Sequence, residues 1–286
     1  MQATPPSART AVDDAYDNAA HFPDVPRWRE RWQERNAARV PGAGERLDLG
    51  YGPRPAQRID LLPTTTPGRS ATAIFFHGGF WSRNSKETFR FLAPGFHAAG
   101  LNVAFAGYRL APEARMGEIV ADARAAAGWL ADHLAALGLG ESPLLVTGWS
   151  AGAHLAALLT GEPYVAAGLG ISGAYDLAPL VDSAMNDTLR LDASDVRRYS
   201  PATLPLAGTA PFDVAYGARE LPAYRDDGDA FHRALRRAGV ESELLALEGH
   251  HHHSVLDELF SAEGKLVEKL AALAAIATTP RGGITA

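Results

Sequence analysis

The sequence predicts an α/β fold, a central and mostly parallel sheet of about eight strands with helices on both faces. Three observations predict it. Short, continuous apolar runs recur along the chain, stretches of helical periodicity separate them, and two earlier segments alternate apolar with polar residues. A chain of 286 residues, 47% hydrophobic and 21% charged, carries enough apolar side chain for one large core of that kind.

Residues 1–44 are polar and rich in Arg and Ala, with Tyr16, Phe22, Trp28 and Trp32 as their aromatics. Trp28 and Trp32 stand four apart and share one face of a helix, so this stretch reads as a helical cap on a main domain spanning 45–277. ERLDLGYG and QRIDLLP alternate, as half-buried antiparallel strands do. ATAIFF (71–76), LNVAFAGY (101–108), PLLVTGW (143–149), VAAGLGIS (165–172) and FDVAYG (212–217) are runs expected of strands buried on both sides, and ESELLAL (241–247) adds a last strand. Helices are expected over 113–138, 222–239 and 254–277, which makes right-handed βαβ crossovers of the connections. The segment 176–210, with Pro179, Pro201 and Pro205, reads as a lid-like insertion, and 278–286 as a disordered tail.

A net charge of −6 argues against nucleic acid as a partner, because phosphate binding needs a basic surface. No apolar run approaches the roughly 20 residues that cross a bilayer. The opening MQATPPSARTAVDD lacks the basic-then-apolar order of a secretory signal, so a cytoplasmic location is expected. Without cysteine there is neither disulfide nor thiol chemistry.

The most specific motif is Gly148-Trp149-Ser150-Ala151-Gly152, which follows a buried strand and opens an apolar helix. That is the context of a nucleophile elbow, and it makes the fold an α/β-hydrolase. Serine sits at a sharp strand-to-helix turn, small flanking residues let strand and helix pass closely, and the helix N-terminus faces the charge that develops. Ser150 is the expected nucleophile. His77-Gly78-Gly79-Phe80-Trp81, at the end of the first buried strand, is the matching loop for an oxyanion hole. Its amide donors are expected from Gly79, with Gly78 or Phe80, together with Ala151. His77 reads as a brace for the loop and Trp81 as a wall of the substrate pocket.

Fold order then asks for an acid after a late strand and a histidine after the last one. Glu220 follows FDVAYG and is the acid candidate; Asp213 lies inside the strand and points the wrong way, while Asp226 and Asp227 read as solvated helix positions. Four histidines, 250 to 253, follow the last strand, and one is the expected base. Adjacent histidines in a loop diverge instead of converging on an ion, so no metal and no other cofactor is expected. Spacing leaves His251 and His252 equivalent.

HGGFW, the GWSAGAHL elbow, SGAYDLAPL (172–180), RYSP (198–201) and GARELPAYRDD (217–227) together resemble the arylformamidase, or kynurenine formamidase, group of α/β-hydrolases. AYDNAAHFPD and LDLGYGPRPAQRIDLL fit as well, so the resemblance runs from about residue 15 to 275. It implies hydrolysis of N-formylkynurenine to kynurenine and formate by a metal-free Ser-acid-His triad, with Ser150 matching the nucleophile and Glu220 the acid. Reading His252-His253-Ser254-Val255-Leu256 against the family's pattern selects His252 as the base. Three positions depart from it: Glu220 for the usual Asp, Trp149 where His is common, and His253 where Phe is common. Trp149 and His253 stand beside the triad and bear on the substrate pocket. The expected partner is a small-molecule ester or amide, with no nucleic acid or membrane, and a homodimer is compatible with the sequence. A carboxylesterase for small-acyl or aryl esters shares these parts; a non-catalytic receptor of the same fold typically lacks the base, whereas here all three positions are filled.

Overall fold

The chain, seen in a computed structural model, is described for residues 8–65, 71–140, 143–206 and 208–278. Nearly all of the expected tail lies outside the described residues, as do residues 1–7. Eight strands form one sheet: β1 (Arg46–Gly50), β2 (Arg58–Leu62), β3 (Thr72–Phe76), β4 (Asn102–Ala106), β5 (Leu144–Trp149), β6 (Val165–Ile171), β7 (Phe212–Gly217) and β8 (Leu244–Leu247). They run in the order β1-β2-β4-β3-β5-β6-β7-β8. β1 and β2 pair antiparallel, β2 pairs antiparallel with β4, and every later pairing is parallel.

The helices are α1 (Ala8–Tyr16), α2 (Asn18–His21), α3 (Val25–Ala38), α4 (Ala93–Ala98), α5 (Met116–His133), α6 (Ala151–Ala157), α7 (Asn186–Leu189), α8 (Ala193–Tyr199), α9 (Pro222–Arg237), α10 (Asp257–Phe260) and α11 (Lys265–Thr278). Alternate strand residues feed two separate cores, which is why the runs are apolar throughout. Ile74, Phe76, Val146 and Val214 pack with residues of α5, α6 and α9 on one face. Phe75, Phe105, Leu145 and Leu169 pack with residues of α3, α4 and α11 on the other. Each such side chain, fully buried, stabilises the fold by about 1.5–3 kcal/mol. No helix among the described residues is long and apolar enough to cross a membrane.

Three expectations change. β2 is buried along almost its whole length because it lies between β1 and β4. Its Asp60 is fully buried, with the Lys86 ammonium 2.9 Å from both carboxylate oxygens and Arg90 Nε 2.7 Å from Oδ2. The helix expected over 254–277 is a 3₁₀ turn followed by α10 and α11. The break falls at Gly264, where a Cβ would sit 2.1 Å from the carbonyl oxygen of Glu258. The segment 176–210 folds as short helical turns against α5 and α6, for instance through Arg115 to Asp195 and His154 Nε2 to the Tyr199 carbonyl.

Candidate active site

β5 ends at Trp149, and Ser150 follows at φ 57°, ψ −120°, immediately before α6. This left-handed conformation is costly for a side chain bearing a Cβ, and the surroundings hold it. Ser150 N–H donates to the Ile171 carbonyl at 2.8 Å, which extends the β5–β6 ladder one residue into the turn. The flanking glycines are steric requirements: a Cβ on Gly152 would lie 1.8 Å from the Phe76 carbonyl oxygen, and one on Gly148 would lie 2.4 Å from the backbone of Gly152.

Three loops at the carboxyl ends of the strands meet beside this turn. Glu220, after β7, is 3% exposed and fully engaged. Its Oε1 accepts from the Ser172 hydroxyl at 2.5 Å and from Gly217 N–H at 2.7 Å, and its Oε2 lies 2.9 Å from His252 Nδ1. The His252 ring packs between Tyr224 and Trp149, with centroids at 4.3 and 4.8 Å. Trp149 Nε1 donates to the His252 carbonyl at 2.8 Å, so the residue before the serine also anchors the histidine loop. Ser150 and His252 line one cavity of about 290 Å³.

Of the four residues expected to form an oxyanion hole, Gly79 and Phe80 line that cavity. Ala151 begins α6 directly after Ser150. Gly78 packs beneath the turn, where a Cβ would lie 2.9 Å from Ser150 Cβ, and its carbonyl accepts from Asn84 Nδ2 at 3.0 Å. Gly79 adopts φ 124° and Phe80 φ 49°, a reversal that turns the loop around the serine. Among the described residues no protein acceptor is found for the N–H groups of Gly79, Phe80 and Ala151. His77 is buried, its ring stacked on Tyr108 at 4.4 Å, and burial pushes its pKa down to about 4, so it stands neutral.

The cavity wall differs from the expected one. Trp149 and His253 line it, but Trp81 does not. Trp81 is fully buried and packs edge-on against His154 at 4.9 Å, because φ 51° at that residue turns the side chain into the core. The outer wall is supplied by the N-terminal helices through Tyr16, Asn18, Arg29 and Trp32, and none of the lining residues comes from the described part of 176–210. Asp213 lies elsewhere, accepting from Glu243 N–H and paired with Lys269. Asp227 is half-buried instead of freely solvated: it accepts from Tyr175 N–H at 2.6 Å, and burial raises its pKa to about 7.

The remaining histidines have separate partners. His250 bonds Glu258 and the Ser254 carbonyl. His251 stacks on Phe22 at 4.6 Å and reaches Asp24 Oδ2 at 3.2 Å, tying the loop to the N-terminal helices. Among the described residues no three His, Asp or Glu side chains are grouped to hold a metal ion. Sequence reasoning missed Ser172, Asn18, Arg29 and Trp32. Ser172 had a signal, as the first residue beyond a strand adjoining the nucleophile's; the other three come from helices whose docking no local pattern encodes.

A profile of the alpha/beta hydrolase fold matches residues 73–193. The kynurenine formamidase of Danio rerio is 27% identical over 238 residues, spanning 78% of this chain and 80% of its own length. The isoprenylcysteine alpha-carbonyl methylesterase of Arabidopsis thaliana is 27% identical over 239 residues, 72% of this chain and 56% of its own. Among solved structures, a candidate thioesterase from Silicibacter sp. TM1040 superposes with a TM-score of 0.77 at 28% identity, covering 94% of this chain and 99% of that one. An esterase of Pyrobaculum calidifontis gives 0.74 at 22% identity, covering 97% and 100%.

Proposed function

The chain is a hydrolase of the α/β-hydrolase fold that resembles the kynurenine formamidases, and from that premise we propose that it cleaves a small-acyl amide or ester through an acyl-enzyme on Ser150. The substrate we favour is an aryl formamide such as N-formylkynurenine, hydrolysed to kynurenine and formate. The observation that carries the reading is the Glu220–His252 pair, 2.9 Å apart, opening onto the cavity that Ser150 lines.

Glu220 Oε2 accepts a hydrogen bond from His252 Nδ1–H, which keeps the proton on Nδ1 and leaves the Nε2 lone pair as the base. Ser150 Oγ attacks the substrate carbonyl while Nε2 takes its proton, and the imidazolium returns that proton to the departing amine or alcohol. The amides of Gly79, Phe80 and Ala151 are the donors for the oxyanion, each worth about 2.7–4 kcal/mol in such a hole. Water then releases the acyl group by the same steps. The aromatic rings of Tyr16, Trp32, Phe80 and Trp149 in the wall suit an aryl substituent.

Purified protein is given N-formylkynurenine and p-nitrophenyl acetate in parallel, with Ser150→Ala as control. Strong preference for the formamide supports this function. Turnover of the ester alone supports a small-acyl carboxylesterase, the second reading, which the methylesterase relatives favour. Turnover of neither would overturn both.

A further inference from the structure

One polar side chain in the cavity wall has no use in the mechanism above. His253 is 5% exposed and lines the cavity beside Ser150 and His252. Its ring stacks on Trp32 with centroids at 5.6 Å and meets Trp149 edge-on at 5.5 Å. Such packing asks for a flat ring and makes no demand for nitrogen.

Yet the ring has two nitrogens and among the described residues neither is bonded to protein. Nδ1 is sealed from solvent with no partner, and among the described residues nothing bonds Nε2. Burial, with the charges of His252, Arg29 and His251 acting the same way, pushes the pKa down to about 2, so the ring is neutral across the working range. A neutral imidazole carries one N–H and one lone pair. An orphaned N–H is rarer in protein interiors than an orphaned acceptor, which places the lone pair on sealed Nδ1 and the proton on Nε2. Since Nδ1 is sealed, Nε2 is the ring's accessible polar atom. A donor that faces the cavity exchanges water for a ligand acceptor at little cost, whereas an apolar ligand group in the same place leaves it unpaired.

We propose that His253 Nε2–H donates a hydrogen bond to an acceptor oxygen of the substrate other than the reacting carbonyl, making His253 a specificity-determining residue. The substrate class is then an ester or amide with an ether, carbonyl or carboxylate oxygen close to the scissile bond. Arg29, on the same wall, adds positive charge that favours such an oxygen. The inference rests on Ser150 acting as nucleophile in this cavity.

The test uses near-isosteric pairs. p-Nitrophenyl methoxyacetate is compared with p-nitrophenyl butyrate for the acyl side, and 2-acetylphenyl acetate with 2-isopropylphenyl acetate for the leaving-group side. The quantity read is the kcat/KM ratio of the oxygen-bearing ester to its apolar partner, which cancels general damage to the site. His253→Phe keeps the stacked ring and removes the donor, and the ratio should fall about three- to tenfold in one pair. Should that variant not fold, His253→Gln, which keeps a donor, should retain the ratio, and His253→Leu should lose it. Unchanged ratios in both pairs with Phe, or equal ratios with Gln and Leu, would overturn the proposal. Failure of the underlying reading shows separately, as hydrolysis of all four esters that Ser150→Ala does not abolish.

Discussion

Replacing Glu220 with glutamine has an outcome dictated by the partners of its two oxygens. Oε1 accepts from the Ser172 hydroxyl and the Gly217 amide, at 2.5 and 2.7 Å, while Oε2 faces His252 Nδ1 at 2.9 Å. Glutamine offers one acceptor oxygen and one NH₂ donor. The Gly217 amide can only donate, so the glutamine oxygen is held at the Oε1 position and the NH₂ turns towards His252. Facing a donor, Nδ1 must accept, and the neutral ring then carries its proton on Nε2. In that tautomer the ring cannot take the Ser150 proton. The same tautomer error in other Ser-His-acid enzymes costs about 10⁴ in kcat, or ~5.4 kcal/mol. The two side chains are nearly isosteric, so the thermal midpoint should move by only a few degrees. The assay is steady-state hydrolysis of p-nitrophenyl acetate alongside thermal unfolding. A Glu220→Gln variant that keeps more than about a tenth of the wild-type kcat would refute the role assigned to Glu220.

Three further outcomes are expected. Ser172→Ala removes one donor from the Glu220 carboxylate and should lower kcat about tenfold with KM little changed; a change confined to KM would count against a positioning role. His252→Ala should cost about 10³-fold or more in kcat, whereas His250→Ala, which loses the Glu258 contact, should register mainly in thermal stability; equal kinetic losses would defeat the choice of base. Asp227 has a folded pKa of about 7, above its value in an unfolded chain, so the stability it contributes is full below about pH 4 and is lost as pH rises through 7. Asp227→Asn keeps an acceptor for Tyr175 N–H and should gain on wild type in thermal midpoint between about pH 4 and pH 8; parallel curves would show that Asp227 is not the group responsible.

The strands were legible because each, once buried on both faces, leaves an apolar run that turns and glycines punctuate. β2 was misread since its sequence, RIDLL, carries an aspartate where alternation puts a solvent-facing residue. The Lys86 and Arg90 that allow Asp60 to be buried lie 26 and 30 residues away, beyond any local pattern. Ser150 was legible from its glycines, and Glu220 from its place after a strand. The histidine run was the ambiguous part. Side chains of one type at adjacent positions have identical local signals, and what separates them is distant: Glu258 for His250, Asp24 and Phe22 for His251, Glu220 for His252, Trp32 for His253. Trp81 was misplaced for a similar reason, since a positive φ within the loop turns its ring away from the cavity, and that angle has no sequence marker when the residue is not glycine.

That angle belongs to a pattern. Of the seven non-glycine residues with positive φ among those described, five (Phe80, Trp81, Asn84, Ser150 and Ser172) lie just beyond the carboxyl ends of the central strands β3, β5 and β6. Each such conformation costs of order 1–3 kcal/mol and persists only where the surroundings over-determine it. For the two serines the sheet does so by continuing its ladder one residue past the strand: Ser150 N–H bonds the Ile171 carbonyl at 2.8 Å, and Ser172 N–H bonds the Ala215 carbonyl at 2.7 Å. Because both serines hang from neighbouring parallel strands, the register that aligns β5 with β6 and β6 with β7 also fixes the nucleophile relative to the donor that holds its acid. The separation of Ser150 from the Glu220 carboxylate therefore depends on the sheet, through Ser172, as well as on the loop after β7. It follows that large hydrophobic-to-small changes in the strands, such as Leu169→Ala, should degrade kcat before they unfold the protein, while equivalent changes in α11 should lower stability alone.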